Sequence, residues 1–405
     1  MKIISSSSAV KRLAGLELND LLLSKNLPMD AFNDSRVVSG GTRVYDINGE
    51  LLFNRLPLKQ GRNMVGYTDI AVNPAMGSPF LSASTGADWN EKALKEQAIK
   101  MAKKQVKRFS YDRLRFVAYS YPKLAVQFLL KGKEVGMIEL YSWKRVPGMK
   151  KRDAGVPPSN FERWSLLDEI PANKVKTNIR RFEKRLQQWE EISPEKKPPG
   201  RFKPDIVRIK EFERLVREFV FVPRVIQREL HYSPDNADHT SCYELRSQLT
   251  NVWCVAGSVQ MVLNFYRYNY EQTRLATDLG LGTLTSPNGL PYSRDGDVVT
   301  VLENITGNAL NANMNNSPSW SEFVSEIRAN RPLISFVPGH SRTVAGFTSG
   351  RGVLGTRFRG LLVYDPWPPS PSNPATPMTG GVITRWENFD TTTYRLTFTA
   401  ELVLY

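Results

Sequence analysis

Cysteine is scarce: Cys242 and Cys254 are the only two in 405 residues. Two cysteines cannot build a disulfide framework, and pairing them would consume the one that opens the helical pattern described below. Histidine is scarcer still for the length, with His231, His239 and His340 only. No Cys/His cluster has zinc-ligand spacing and H-E-x-x-H is absent, so neither a metal nor any other cofactor is expected. No run of about eighteen apolar residues exists, which excludes a membrane-spanning helix. The opening M-K-I-I-S-S-S-S-A-V-K-R lacks the apolar centre of a secretory signal. The chain is therefore expected either to stay inside the cell or to have lost a leader.

Lysine disappears after Lys210. Residues 1–230 carry 43 Lys and Arg against 26 Asp and Glu, a balance of +17, whereas residues 231–405 carry 12 against 14, a balance of −2. A charge step that sharp predicts units with different tasks. At 405 residues, with 41% hydrophobic content, the chain is long enough for two or three cores.

The N-terminal unit, residues 1–150, reads as α+β. A leucine patch at Leu21–Leu23 suggests a packed helix or arm. R-V-Y-D-I-N-G-E-L-L-F is a hairpin turning on Asn48-Gly49, and strands follow near 65–72 and 79–84. A helix is predicted from Asp88, as its cap, to Lys107, with Leu94, Ala98, Met101 and Ala102 on one face. A second hairpin, R-L-R-F-V-A-Y-S-Y-P-K-L-A-V-Q-F-L-L followed by G-K-E-V-G-M-I-E-L-Y-S-W, turns near Gly132. Residues 151–230 read as a helical pair. Val175, Ile179, Phe182, Leu186 and Trp189 line the first helix and Val207, Phe212, Leu215 and Phe219 the second, with the proline-rich S-P-E-K-K-P-P-G-R-F-K-P between them. After Pro223 the chain is polar through His239, a natural hinge.

The third unit, residues 231–405, carries the chemistry. In Q-L-T-N-V-W-C-V-A-G-S-V-Q-M-V-L, Cys254 heads a helix whose buried face repeats at Ala256, Val259, Leu263 and Tyr266. Thr250 and Asn251 are residues that end loops and cap helices. A cysteine in the first helical turn feels the positive end of the helix dipole, which stabilises a thiolate. Gln248, six residues upstream, can fold over the sulfur and share an oxyanion hole with the Cys254 N–H. Taken alone, a cysteine in such a run is better explained as a small buried hydrophobe. His340 opens a strand after Pro338-Gly339. L-L-V-Y-D-P-W-P-P is a strand stopped at Asp365 by Pro366. A carboxylate at that strand end can hold the second imidazole nitrogen and fix its tautomer.

The Gln-x5-Cys spacing, the Trp before the Cys, the Cys-headed helix, the later His strand and the Asp-Pro-Trp together resemble papain-like cysteine peptidases. The resemblance is to the compact branch that includes bacteriocin-leader-processing and staphopain-like enzymes. L-A-T-D-L-G-L-G-T and R-P-L-I-S-F-V-P-G-H add to it. The likeness covers roughly residues 240–405. It departs from papain in lacking C-G-S-C-W and in its shorter Cys-to-His distance, which describes a trimmed catalytic domain. It implies an α+β fold overall, with a C-terminal papain-like domain of a helical part plus an antiparallel sheet. It further implies hydrolysis of a protein or peptide substrate by Cys254, His340 and Asp365, with Gln248 as oxyanion donor. Trp253 and Trp367 would wall the site, or equally serve as core and strand-end tryptophans. The same residues would serve an acyltransferase, or a binding protein that has kept the fold without the activity.

Residues 1–150 resemble, more loosely, the propeptides of secreted microbial zymogens, through Y-D-I-N-G-E-L-L-F-N-R-L-P-L and G-Y-T-D-I-A-V. On that reading the basic half is an intramolecular, inhibitory prosegment held on a faintly acidic domain by complementary charge. The competing partner is nucleic acid or another anionic polymer, given K-K-Q-V-K-R-F, K-R-V-P-G-M-K-K-R and N-I-R-R-F-E-K-R. Glu183, Glu190, Glu191, Glu211, Glu213 and Glu218 offset much of that charge within the same helices.

Overall fold

The computed structural model describes residues 7–23, 27, 32, 34–38, 41–85, 89–148, 163–192, 207–208, 229–232, 246–352, 356–367 and 383–403. Seven α-helices and one large, almost wholly antiparallel sheet occupy these residues, an α+β architecture. No described helix is long and apolar enough to cross a membrane.

The N-terminal strands are β1 (Arg36–Val37), β2 (Thr42–Asp46), β3 (Leu51–Gln60), β4 (Asn63–Ala71) and β5 (Phe80–Thr85), preceded by helix α1 (Ser7–Leu23). The β2–β3 hairpin turns where Asn48-Gly49 predicts it. Gly49 takes φ +98°, and the Asn48 carboxamide oxygen accepts from Glu50 N at 3.0 Å. Helix α2 (Glu91–Gln105) is capped by Asn90, whose Oδ1 accepts from Ala93 N at 3.1 Å. The expected cap, Asp88, lies outside the described residues. Leu94, Ala98 and Ala102 are its buried face, as their spacing requires.

The long second hairpin is in fact three strands: β6 (Arg113–Ser120), β7 (Lys123–Leu130) and β8 (Lys133–Glu139). Pro122 has no N–H for a ladder, so the chain turns at Tyr121-Pro122 and Ser120 pairs with Lys123. That extra turn becomes important below. Helix α2 carries the chain back so that β6 pairs with β2 in parallel, Val44 opposite Phe116.

Helix α3 (Ala172–Ile192) buries Phe182 and Trp189 on the expected stripe. It is anchored to α1 by Arg185, which meets Glu17 at 2.8 Å and also Asp20. The second helix of the expected pair is not found where its pattern begins. Val207–Arg208 form strand β9, antiparallel to β1. Val207-Arg208-Ile209-Lys210 alternates with period two, a strand signal that the longer helical spacing obscured; Phe212, Leu215 and Phe219 lie outside the described residues. The polar stretch after Pro223, expected to be a hinge, contains strand β10 (Glu229–Tyr232), antiparallel to the strand His340–Arg351, with His231 opposite Phe347. His239 and Cys242 lie outside the described residues.

The C-terminal half contributes α4 (Cys254–Phe265), α5 (Gln272–Asp278), α6 (Asp297–Ile305), β11 (Leu310–Asn315), α7 (Trp320–Arg328), β12 (Leu333–Val337), β13 (His340–Arg351), β14 (Arg357–Asp365), β15 (Ile383–Asn388) and β16 (Leu396–Leu402). Every residue of α4 is buried, sandwiched between α5, α6 and the sheet. The strand order is β11-β16-β12-β13-β14-β15-β5-β4-β3-β2-β6-β7-β8. The basic and the faintly acidic halves are thus joined in one sheet, with Arg385, Trp386 and Glu387 opposite Ser84, Ala83 and Ser82. Leucines of α1 share an apolar core with Met261 and Phe265 of α4 and with Trp386.

Near that seam Arg55 and Asp69 form a bidentate ion pair at 2.9 and 2.8 Å with side chains 2% and 1% exposed. The Arg55 guanidinium also stacks 3.9 Å from the Tyr67 ring centre. Asp69→Ala leaves a buried, uncompensated cation and is expected to cost about 3–5 kcal/mol. Equilibrium urea denaturation of the full chain checks this; a loss below about 1 kcal/mol contradicts it.

Candidate active site

Cys254 is the first residue of α4, behind Trp253 as N-cap, with no side chain capping the helix. Thr250, an expected cap, instead organises the loop. Its carbonyl accepts from Gln248 Nε2 at 2.7 Å and Trp253 N at 3.4 Å, and its hydroxyl accepts from Val252 N at 3.4 Å. The loop is pinned on its other side by Gln248 N, which donates to Pro366 O at 3.0 Å. Gly257 makes this approach feasible, because a Cβ there would meet Pro366 Cβ at 3.1 Å and Gln248 Cα at 3.7 Å. The Gln248 loop, the first turns of α4 and the Asp365-Pro366-Trp367 corner are therefore wedged together.

His340 follows a two-residue turn, Val337 pairing with His340 across Pro338-Gly339. Pro at the first central position and Gly at φ +70° in the second are what such a turn asks for. The His strand is registered on the Cys helix by side chains. Ser341 Oγ donates to Ser258 Oγ at 2.9 Å, and Thr343 lies against Met261 sulfur at 3.9 Å, one helical turn on.

His340 Nε2 and Asp365 Oδ1 are 2.7 Å apart, with both side chains sealed from solvent. The same carboxylate accepts from Trp367 N at 2.9 Å, and its second oxygen from Arg385 Nη2 at 3.1 Å. The other imidazole nitrogen, Nδ1, makes no hydrogen bond of ordinary geometry. It is left for Cys254, the second side chain with which the ring interacts by charge and hydrogen bonding. Gln248 Oε1, Trp367 Nε1 and Arg385 Nε and Nη1 are likewise buried without protein partners. Such orphans are rare in native interiors, and the free Nδ1 of a ring whose other nitrogen is already bound is the one that faces the thiol's chemistry.

The electrostatics favour an ion pair. Burial pushes the Cys254 thiol up, but the hydrogen bond and charge of His340, the Lys123 ammonium and the Ser341 N–H together bring it below its ordinary value. Burial pushes His340 down, and Asp365, by charge and hydrogen bond, with a further contribution from Cys254, carries it above the imidazole range. Burial raises Asp365, yet the charges of His340 and Arg385 and the hydrogen bonds from His340 and Trp367 N–H hold it well below the usual carboxylate range. The Asp365 shift stabilises the fold above about pH 4, a contribution lost as acid protonates the native carboxylate. The His340 shift contributes most below about pH 6.5 and is lost as pH rises through its higher native value.

Trp367 meets the His340 ring edge-on at 6.1 Å and is itself packed against Tyr141 at 5.1 Å, shielding the buried His–Asp bond. Trp253 is placed differently. Its indole donates to Leu281 O at 2.9 Å within the helical core, and it does not line the cleft beside the thiol. Its place is that of a core tryptophan, not a substrate wall. Gln248 is also fully buried and stands behind the cleft rather than on its surface. The narrow cleft is lined by Cys254, Val255, Leu290, Tyr292, His340 and, from the N-terminal half, Lys123. Lys123, Arg385, Ser258 and Ser341 carried no sequence signal, since each acts only through a neighbour distant in the chain. Among the described residues, no group of three or more His, Cys, Asp or Glu side chains is placed to hold a metal ion.

Residues 241–394, which include Gln248, Cys254, His340 and Asp365, match the Peptidase_C39 like family. Comparison with curated proteins returns no match.

Thiolate absorbance of the parent is expected to titrate below the free-cysteine value of about 8.5. In Asp365→Asn the imidazolium loses its counter-charge, His340 falls and the thiol climbs. An unchanged titration in that variant would show that the carboxylate does not act through the ring.

Proposed function

We propose that the chain, whose residues 241–394 match the Peptidase_C39 like family, hydrolyses peptide bonds through Cys254, His340 and Asp365. The observation that carries this is the continuous line from a helix-tip thiol to a buried imidazole whose far nitrogen is bound at 2.7 Å by a carboxylate. Cys254 attacks the scissile carbonyl as a thiolate beside protonated His340. His340 gives its proton to the leaving amine, then takes one from the water that hydrolyses the thioester. Asp365 keeps the ring oriented and its charge compensated, and Arg385 and the Trp367 N–H keep Asp365 ionised.

The tetrahedral oxyanion would be met by the Cys254 N–H and, on a movement of its loop toward the cleft, by Gln248. One hydrogen of Gln248 Nε2 is spent on Thr250 O, and the second remains for this task. The N-terminal half would act as a cover. What supports this is that Ser120 Oγ, at the end of β6, and Trp164 Nε1 lie 2.8 and 3.1 Å from where a Cβ on the cleft residue Gly339 would stand. Lys123 lines the same cleft. Such a cover restricts substrates in the intact chain, and a cut within 190–240 would loosen it.

Cys254→Ala is expected to abolish turnover of a fluorogenic peptide library with unchanged thermal unfolding; parent-like turnover would end the proposal. Gln248→Ala is expected to lower kcat about 10²–10³-fold, the scale of one lost oxyanion donor. Limited proteolysis confined to 190–240 should raise kcat/KM over the intact chain, and an intact chain already at the cut enzyme's rate removes the inhibitory role.

A further inference from the structure

Lys123 belongs to the N-terminal half, yet its side chain, only 5% exposed, lines the cleft with Cys254, Gly339 and His340. Its ammonium stands 5.2 Å from the centre of the Trp367 ring, the ring that meets His340 edge-on. Among the described residues it makes no ion pair. Glu139 feels its charge, but that carboxylate is engaged by the N–H groups of Tyr141 and Ser142 and by the Ser142 hydroxyl, at 2.9, 2.5 and 2.6 Å. The other cation of the cleft is satisfied: Arg395 is paired with Asp295 and stacked 4.0 Å from the Tyr292 ring centre. An ammonium this little exposed, with no carboxylate in ion-pair contact, is placed to take one from a ligand.

The chemistry says which part of a substrate it would meet. The acyl portion becomes bonded to Cys254 and its oxygen turns toward the Cys254 N–H and Gln248. The leaving nitrogen must lie at His340 to receive its proton. Whatever follows that nitrogen runs along the flank of His340 and Trp367, where Lys123 stands.

We propose that Lys123 is a carboxylate-binding subsite on the leaving-group side, selecting peptides that carry a carboxylate directly after the cut. That carboxylate is either the free C-terminus of a single released residue or the side chain of Asp or Glu. The inference rests on the peptidase reading and makes the cover a filter as well as a lid. The influence of the ammonium on the Cys254 thiol agrees with its nearness to the reacting atoms.

Two alkylating probes test it in the uncut chain without any known substrate. Iodoacetate carries a carboxylate and iodoacetamide does not. Relative to the parent, Lys123→Met should lower the iodoacetate-to-iodoacetamide rate ratio at Cys254 about tenfold, the scale of one charge-assisted hydrogen bond. Lys123→Arg should preserve it. His340 is common to all three proteins, so its own charge cancels in the comparison. If Cys254 reacts readily but the ratio is the same in Lys123→Met, the subsite is refuted and the peptidase reading stands. If neither reagent reaches Cys254, both fall. Matched peptides then separate the two sources. Loss of turnover on amidating the terminus assigns the α-carboxylate, and loss on replacing Glu by Gln after an internal cut assigns the side chain. In either case KM should rise in Lys123→Met for the acidic peptide only, and equal effects on acidic and neutral peptides overturn the proposal.

Discussion

A hydrogen bond between two groups that water does not reach, His340 Nε2 and Asp365 Oδ1, organises this molecule. A buried carboxylate is tolerable only when surrounded by donors and cations, and Asp365 has a ring nitrogen, a backbone N–H and a guanidinium. Arg385 arrives from β15, the strand that also pairs with β5. The residue that holds the acid is therefore mounted where the two halves meet. Arg342–Glu387 and Arg55–Asp69 add two further buried pairs nearby. Burying so many charges brings little net stability and is better understood as fixing one register of strands against all others.

The same seam changes how the basic half should be viewed. A removable clamp would touch its target through a surface; here strands pair across the join and α1 shares an apolar core with the back of the cysteine helix. Burial of that kind resists separation even after a backbone cut, since exposing it would return many leucines to water. The N-terminal half also supplies Lys123 to the cleft and Tyr141 to the back of Trp367. The elements proposed to cover the site thus also shape it.

Legibility followed the range of the interaction that decides each feature. The Asn48-Gly49 hairpin, the Leu94-Ala98-Ala102 face of α2 and the Phe182-Trp189 stripe of α3 are where local patterns put them, because turn chemistry and helical period act over a few residues. Local pattern and structure part where a short cue competes with a longer one or a partner far away takes over. Pro122 was enough to divide one apparent strand into two. Val207 joined β1 although its spacing also suited a helix. Trp253, adjacent to the cysteine in sequence, turned into the helical core, while Trp367 turned toward His340, a difference no linear pattern records.

The chain's own order of residues determined the cast: a thiol at the head of an apolar helix, an imidazole after a Pro-Gly turn, and an acid at a strand stopped by proline. Each depends on interactions within about one turn of its own backbone, so each could be read directly. The tertiary structure alone decided that Nε2 takes the carboxylate and Nδ1 is left for sulfur, that Arg385 holds the acid, and that a lysine more than a hundred residues upstream stands in the cleft. The reason is physical: burial, charge and hydrogen bonding act through space, and only packing of the whole sheet sets those distances.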